Sequence, residues 1–267
     1  MTSPTSPRRL RELIAAGRWN GPTAGVLEGH QQANLAIVPQ ALAFDFLLFC
    51  NRNPKPCPVL AVTEPGDPVV RLGSTTADLR HTLPRYRVWQ RGTLVAEPTD
   101  IADYWRSDAV GFLLGCSHTW EGALRDAGVP VPRAAESAAP PVYVTNRPTR
   151  PAGRLSGPLV VSMRALPGHL VARAVEVTAR YPTGHGAPIH IGDPGELGIA
   201  DVHQPDFGPP PKLEPGTVPV FWACGVTPQL VLPAAEAEYV ITHFAGHMFV
   251  FDHHVDADPT ATCEPAN

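Results

Sequence analysis

The chain has 267 residues, 43% of them hydrophobic and 17% charged, with a net charge of −4. This is the composition of a folded chain, and the length supports a sizeable core as one large domain or as two lobes. The 21 basic residues stand against 25 acidic ones, which excludes a global attraction to nucleic acid or to an anionic membrane.

Cysteines occur at 50, 57, 116, 224 and 263. An odd count without a Cys-x-x-Cys pair argues against a disulfide framework and against a zinc or redox motif, so a reducing, cytoplasmic setting is expected. The opening Met1-Thr2-Ser3-Pro4 lacks the layout of a signal peptide. No apolar run reaches the roughly 18 residues that a membrane span requires. The expected partner is a small carboxylic or amino acid, with no cofactor and no metal, and homo-oligomerisation stays open.

In chain order, residues 8–16 read as an amphipathic helix through Leu10, Leu13 and Ile14, followed by turns at Gly17 and Gly21. Residues 39–49 read as a buried helix opened by proline. Strands are expected at 57–62 and 69–72, and a hairpin joins 86–89 to 93–96 across Gln90-Arg91-Gly92. A strand at 110–114 enters Gly115-Cys116-Ser117-His118, and the helix after it carries Trp120, Ala123 and Leu124. Beyond lie a strand at 159–163, a helix at 169–180 and a loop rich in His, Gly and Asp. Strands at 218–223, 239–242 and 248–251 close the pattern, with a polar tail from His254. The 32 prolines and 23 glycines predict many ordered turns, and 132–141 and 205–215 are the most linker-like stretches.

Strands alternate with helices while hairpins intrude, which predicts an α/β protein of mixed sheets with flanking helices. Two lobes are expected: 1–112 completed by 218–267, and 113–217.

Chemistry concentrates in a few rigid segments. A Cys or Ser at a helix start sits among free N–H groups, so Cys116 and Ser117 could form a reactive thiol and an anion site. Equally, Ser117 could cap the helix while Cys116 packs as a small apolar residue. Cys224, Gly225 and Thr227 form a similar turn. In HGAPIHIGDP, glycines and prolines hold His185, His190 and Asp193, a set suited to proton transfer. His243 and His247 have the spacing of a helical zinc pair, yet their flanks read as strands, which leaves hydrogen bonding or proton transfer. Lys55 between prolines and Arg164 after a strand could each hold a carboxylate. No phosphate loop, dinucleotide fingerprint or Gly-x-Ser-x-Gly elbow is present, which weighs against kinases, ordinary NAD enzymes and lipases.

Six blocks together carry a resemblance: NPKPCP (53–58), GCSHTWEGAL (115–124), VVSMR (160–164), HGAPIHIGDP (185–194), PVFWACGVTPQ (219–229) and ITHFAGHMFV (241–250). In order and spacing they resemble the bacterial hydro-lyase family grouped with D-glutamate cyclase, over nearly the whole chain except its extreme termini. One departure is Ala245, where that family usually has proline before Gly-His-Met. The resemblance implies a two-lobed α/β lyase that removes water, with cyclisation of D-glutamate to 5-oxo-D-proline as the named activity. For such a reaction, His190 or His185 would move the proton, with Asp193 orienting it, and Arg164 or Lys55 would hold the second carboxylate. Backbone N–H groups at 115–117 or 224–225 would stabilise the oxyanion. A hydro-lyase for another small hydroxy acid and a non-catalytic carboxylate-binding protein are the alternatives.

Overall fold

The computed structural model describes residues 4–132 and 139–256. The chain opens with α1 (Pro7–Ala15), β1 (His30–Pro39) and α2 (Gln40–Arg52). Short strands follow: β2 (Val59–Val62), β3 (Val69–Leu72), β4 (Thr75–Asp78), β5 (Tyr86–Gln90), β6 (Thr93–Ala96) and β7 (Ala109–Gly115). Next come α3 (Glu121–Asp126), β8 (Val142–Pro148), β9 (Pro158–Pro167), α4 (Val171–Ala179) and β10 (His190–Ile191). The described chain closes with β11 (Thr217–Ala223), α5 (Val226–Ala234), β12 (Val240–His243) and β13 (Phe249–His254).

The larger sheet runs β2-β7-β1-β12-β5-β6, with β13 also paired to β1, and the smaller runs β10-β11-β9-β8. β3 and β4 form a separate hairpin. The α/β class with several sheets and flanking helices holds. The hairpin tendency prevails in it, since every pairing between these strands is antiparallel and no parallel component accompanies it.

Local signals account for most elements. Ser6 caps α1 by accepting from the Arg9 N–H, Pro7 fills the first turn, and Leu10 and Ile14 face inward. α2 buries Leu42, Phe46, Phe49 and Cys50 against one face of the larger sheet, beside Phe112 and Leu114. The other face packs Leu35, Ile37, Leu113 and Phe249 over Tyr86. A third core, Trp120, Leu124, Leu166, Val177 and Trp222, joins α3 and α4 to the smaller sheet. Each such side chain contributes about 1.5–3 kcal/mol by leaving water.

Three expectations need revision. β1, the middle strand, falls where no strand is expected. It is buried on both faces from Gln31 to Pro39, so it lacks the alternation that marks a half-exposed strand. His253 and His254 end β13 rather than begin a tail, because Gln32 and Ala33 pair with Val250 and Phe249 and His30 pairs with His254. The expected tail beyond 256 and part of the 132–141 stretch lie outside the described residues. The 205–215 stretch has no regular element, yet Phe207 bridges to Val142.

The two sheets divide the chain differently from the expected lobes. β7 in the larger sheet extends to Gly115, and β11 at 217–223 belongs to the smaller sheet. A two-lobe division is therefore proposed with crossings after 115 and between β11 and β12. No helix among the described residues is long and apolar enough to cross a membrane.

Candidate active site

β9 continues past its last register pair with β8, Val142↔Ser162. Along this stretch, paired with β11 but no longer with β8, Met163, Arg164 and Ala165 line a cavity of about 450 Å³. Its other described walls are His118, Glu121, Val131, Lys212 and prolines 130, 132, 140, 141 and 209–211. Prolines suit this place because a strand edge closed by residues without an N–H gains no competing strand.

The polar end of the cavity is a relay of three side chains. Alternation along β9 puts Ser162 and Arg164 on the face shared with their partners Trp222 and Val220. The Arg164 guanidinium carbon lies 4.7 Å from the centre of the Trp120 ring. Arg164 Nη1 donates to Ser162 Oγ at 2.9 Å, and Nη2 donates to Glu121 Oε1 at 2.5 Å and Ser117 Oγ at 3.3 Å. Arg164 Nε is buried without a partner among the described residues. The other oxygen of Glu121, Oε2, lies 2.8 Å from His118 Nδ1. Burial alone would raise the Glu121 carboxyl, but His118 and Arg164 outweigh it and hold it down at about 2. An ionised Glu121 accepts from Nδ1–H, which leaves His118 Nε2 free to exchange protons on the cavity side.

The turn carrying His118 is fixed by close packing. Gly115 ends β7 with its N–H given to the Pro58 carbonyl at 2.8 Å, and a Cβ there would overlap the carbonyl oxygen of Thr183. Asn34 Nδ2 donates to Gly115 O at 2.7 Å, and the same amide occupies the space a Cβ on Gly225 would need. The two similar strand-to-helix turns thus meet at Asn34. Ser117–Thr119 forms a 3₁₀ turn that leads into α3.

Cys116 is buried, and that burial pushes its thiol up to about 12, so at neutral pH it is a thiol and not a thiolate. Cys224 is half-buried, and burial raises it too. Its N–H is taken by the Val160 carbonyl at 3.0 Å. Thr227 Oγ1 accepts the Val160 N–H at 3.0 Å and ties α5 to β9. Gly115 and Cys224 therefore have no free N–H to offer an oxyanion.

The remaining expected residues make no hydrogen bond to the relay, although His185 lies near enough for Arg164 and His118 to disfavour its protonation. His185 is buried with Nδ1 2.7 Å from the Lys55 carbonyl, and burial pushes its imidazole down to about 4. Lys55 Nζ donates to the Ala187 carbonyl at 2.6 Å, and its surroundings lower its affinity for a proton. His190 Nε2 meets the backbone oxygen of Asp193 at 2.7 Å, and the exposed Asp193 carboxylate caps its own turn by accepting from Gly195 N. Asp193 therefore does not orient His190 through its carboxylate. Buried His243 receives the Leu35 N–H at 3.2 Å, while His247 lies 2.9 Å from the Ala245 carbonyl.

Of the expected site residues, Ser117 and Arg164 join the relay, with Cys116 alongside in the chain. His118 and Glu121 were missed as site residues, although both stand in GCSHTWEGAL. Their spacing of three on a helical turn was the available signal.

The D-glutamate cyclase family model matches residues 110–252, a span that holds His118, Glu121 and Arg164. A protein of Geobacillus kaustophilus named "Putative hydro-lyase" is 54% identical over 94% of this chain and 95% of its own. One of the same description from Bordetella petrii is 53% identical over 91% and 92%. The chain belongs to the D-glutamate cyclase family. Among solved structures, a nitrogen repressor-like protein of Methanococcus jannaschii aligns over 92% of this chain and 94% of that one, at TM-score 0.40 and 11% identity, too loosely to support an argument.

Proposed function

We propose that this protein is a carbon–oxygen lyase that cyclises D-glutamate to 5-oxo-D-proline and water. One observation carries the reading: the Arg164–Glu121–His118 relay ends in an imidazole facing a substrate-sized cavity. Family membership and the relatives' hydro-lyase names support the reaction class.

Ring closure needs a neutral amine, and glutamate offers an ammonium. His118 Nε2 takes that proton, the amine nitrogen attacks the side-chain carboxyl carbon, and a tetrahedral centre forms. The imidazolium gives that proton to one carboxylate oxygen, His118 takes a second proton from the now cationic nitrogen and passes it to the same oxygen, and the C–O bond breaks to release water. One group serves these transfers in turn, because the two protons removed at nitrogen are the two needed at oxygen. Glu121 orients His118 and stabilises the imidazolium between the two steps, as a carboxylate does for a catalytic histidine. Arg164 keeps Glu121 ionised and in place.

Incubation of purified protein with D-glutamate, L-glutamate and both 5-oxoproline enantiomers, followed by chiral chromatography, tests the reading. Turnover confined to the D series is the expected result, and no conversion in either direction would overturn it. A second reading, a hydro-lyase for another small hydroxy acid, fits the same relay and proline-walled cavity. Substrate profiling separates the two.

A further inference from the structure

We infer that Lys212 is the specificity residue that recognises the non-reacting carboxylate of the substrate. The inference rests on the cavity being the substrate site and deepens that reading. Of the two residues expected from the sequence, Arg164 has Nη1 and Nη2 committed to Ser162, Glu121 and Ser117 and its charge matched by Glu121, which leaves only the buried Nε–H, and Lys55 is not part of the cavity wall.

The charge balance of the cavity singles out Lys212. Its charged described walls are Glu121, Arg164, Lys212 and, when protonated, His118. Glu121 and Arg164 neutralise each other at 2.5 Å. Lys212 has no ion-pair or hydrogen-bond partner among the described residues. Among the described walls, an anion entering the cavity therefore meets one cation without a counter-charge, the exposed Lys212.

The backbone that carries this lysine is held in place. Phe207 and Val142 exchange both N–H···O bonds, at 2.9 and 3.1 Å, and Asp206 Oδ2 accepts from Val144 N at 2.8 Å. Gly208 has a φ of +79°, and a Cβ there would press on the Pro140 carbonyl oxygen at 2.7 Å. Pro209-Pro210-Pro211 then leads directly to Lys212 with each φ fixed by its ring. The lysine thus stands on a stiff arm tied to β8, so little main-chain entropy is lost when it meets a ligand. Composition points the same way, since Lys55 and Lys212 are the only lysines among 21 basic residues.

In the cyclisation the substrate's α-carboxylate takes no part in bond making. Held by Lys212, it would place the amine and the side-chain carboxyl toward His118. The carboxylate survives in the product, so product binding should depend on the same contact.

The test measures binding of glutarate, 5-oxo-D-proline and the uncharged 2-pyrrolidinone to the full chain by calorimetry, for wild type, Lys212→Gln and Lys212→Arg. The expected result is a loss of about tenfold or more in affinity for both carboxylates in Lys212→Gln, the scale of one charge-assisted hydrogen bond. Lys212→Arg should retain most of it, and 2-pyrrolidinone should not distinguish the three proteins. Equal carboxylate affinity in wild type and Lys212→Gln overturns the inference, as does a wild type that binds neither carboxylate. Lys212-dependent carboxylate binding without turnover of D-glutamate would leave this assignment standing and remove only the cyclase reading. Turnover of D-glutamate with an unchanged KM in Lys212→Gln would do the reverse.

Discussion

His190 and Arg164 sit on opposite faces of the smaller sheet, because His190 pairs with Phe221 and Arg164 with the preceding residue, Val220. One strand, β11, also lies between them in order, since His190 is on edge strand β10 and the cavity opens beside β9. His190→Ala and Asp193→Ala should therefore keep kcat for D-glutamate within about threefold of wild type, the scale of small indirect effects away from a site. A loss of a hundredfold in either variant, measured by 5-oxoproline release, would put the chemistry on the other face.

His118→Gln tests the relay directly. It keeps a polar side chain of similar reach but cannot shuttle a proton near neutrality. Turnover should fall by about 10²–10⁴, the usual contribution of a general acid–base group, with KM little changed. Circular dichroism and thermal melting of the variant should match wild type, which separates chemistry from folding.

Glu121→Gln removes the charge between Arg164 and His118 while keeping the shape. It leaves the Arg164 cation buried with no counter-charge in the relay and His118 without its orienting anion. Breaking one side of a buried pair costs about 3–5 kcal/mol. Urea denaturation should show a loss on that scale, and kcat should drop along with it. A variant as stable as wild type would mean that Arg164 finds another partner.

The relay shows how far the sequence could be read. Strand β7, strand β11 and the turn at 115–117 follow from apolar runs that end in glycine, and all three help to place the cavity. The pairing of Glu121 with Arg164 joins residues 43 apart in sequence, and no local period reports such a contact. Cys116 stands at a helix start, where thiols can be reactive, but reactivity depends on exposure, and the fold buries this one. His190 and Asp193 were attractive because glycines and prolines make their loop rigid. That rigidity serves a surface turn, with the carboxylate spent on its own backbone. β1 was invisible for a different reason: a strand covered on both faces carries no alternation to detect.

Acid should destabilise the protein through two histidines held neutral. Burial pushes both His185 and His243 down to about 4, below the 6.5 of a free imidazole. Between those values the unfolded chain binds protons that the folded one refuses. Their contribution is complete above pH 6.5 and is lost as pH falls toward 4, by about 1.4 kcal/mol per pH unit per histidine at most. Glu121, held at about 2 against 4.5, adds a further loss below pH 4.5. Denaturation midpoints at pH 7, 5.5 and 4.5 should decline accordingly, and His243→Gln should flatten the slope by about one proton. An unchanged slope would show that His243 titrates normally in the fold.

Gly115→Ala should be among the most damaging small changes. The added methyl has no room beside the Thr183 carbonyl, so the end of β7 or the facing loop has to move. Overpacking of this kind costs about 1–3 kcal/mol, visible as a lowered urea midpoint. Full stability would mean that the loop yields easily.

The position of β1 also sets an order on how the molecule can be assembled. It meets β7 about 75 residues downstream, as in Ala36↔Phe112, but on its other side it waits for β12 and β13, some 200 residues on, as in Ala36↔Thr242. During synthesis, the ribosome delivers the smaller sheet's strands before β1 can gain its second neighbour. Until then the nascent chain carries a long apolar strand with one open side, which is the kind of segment that holding chaperones protect.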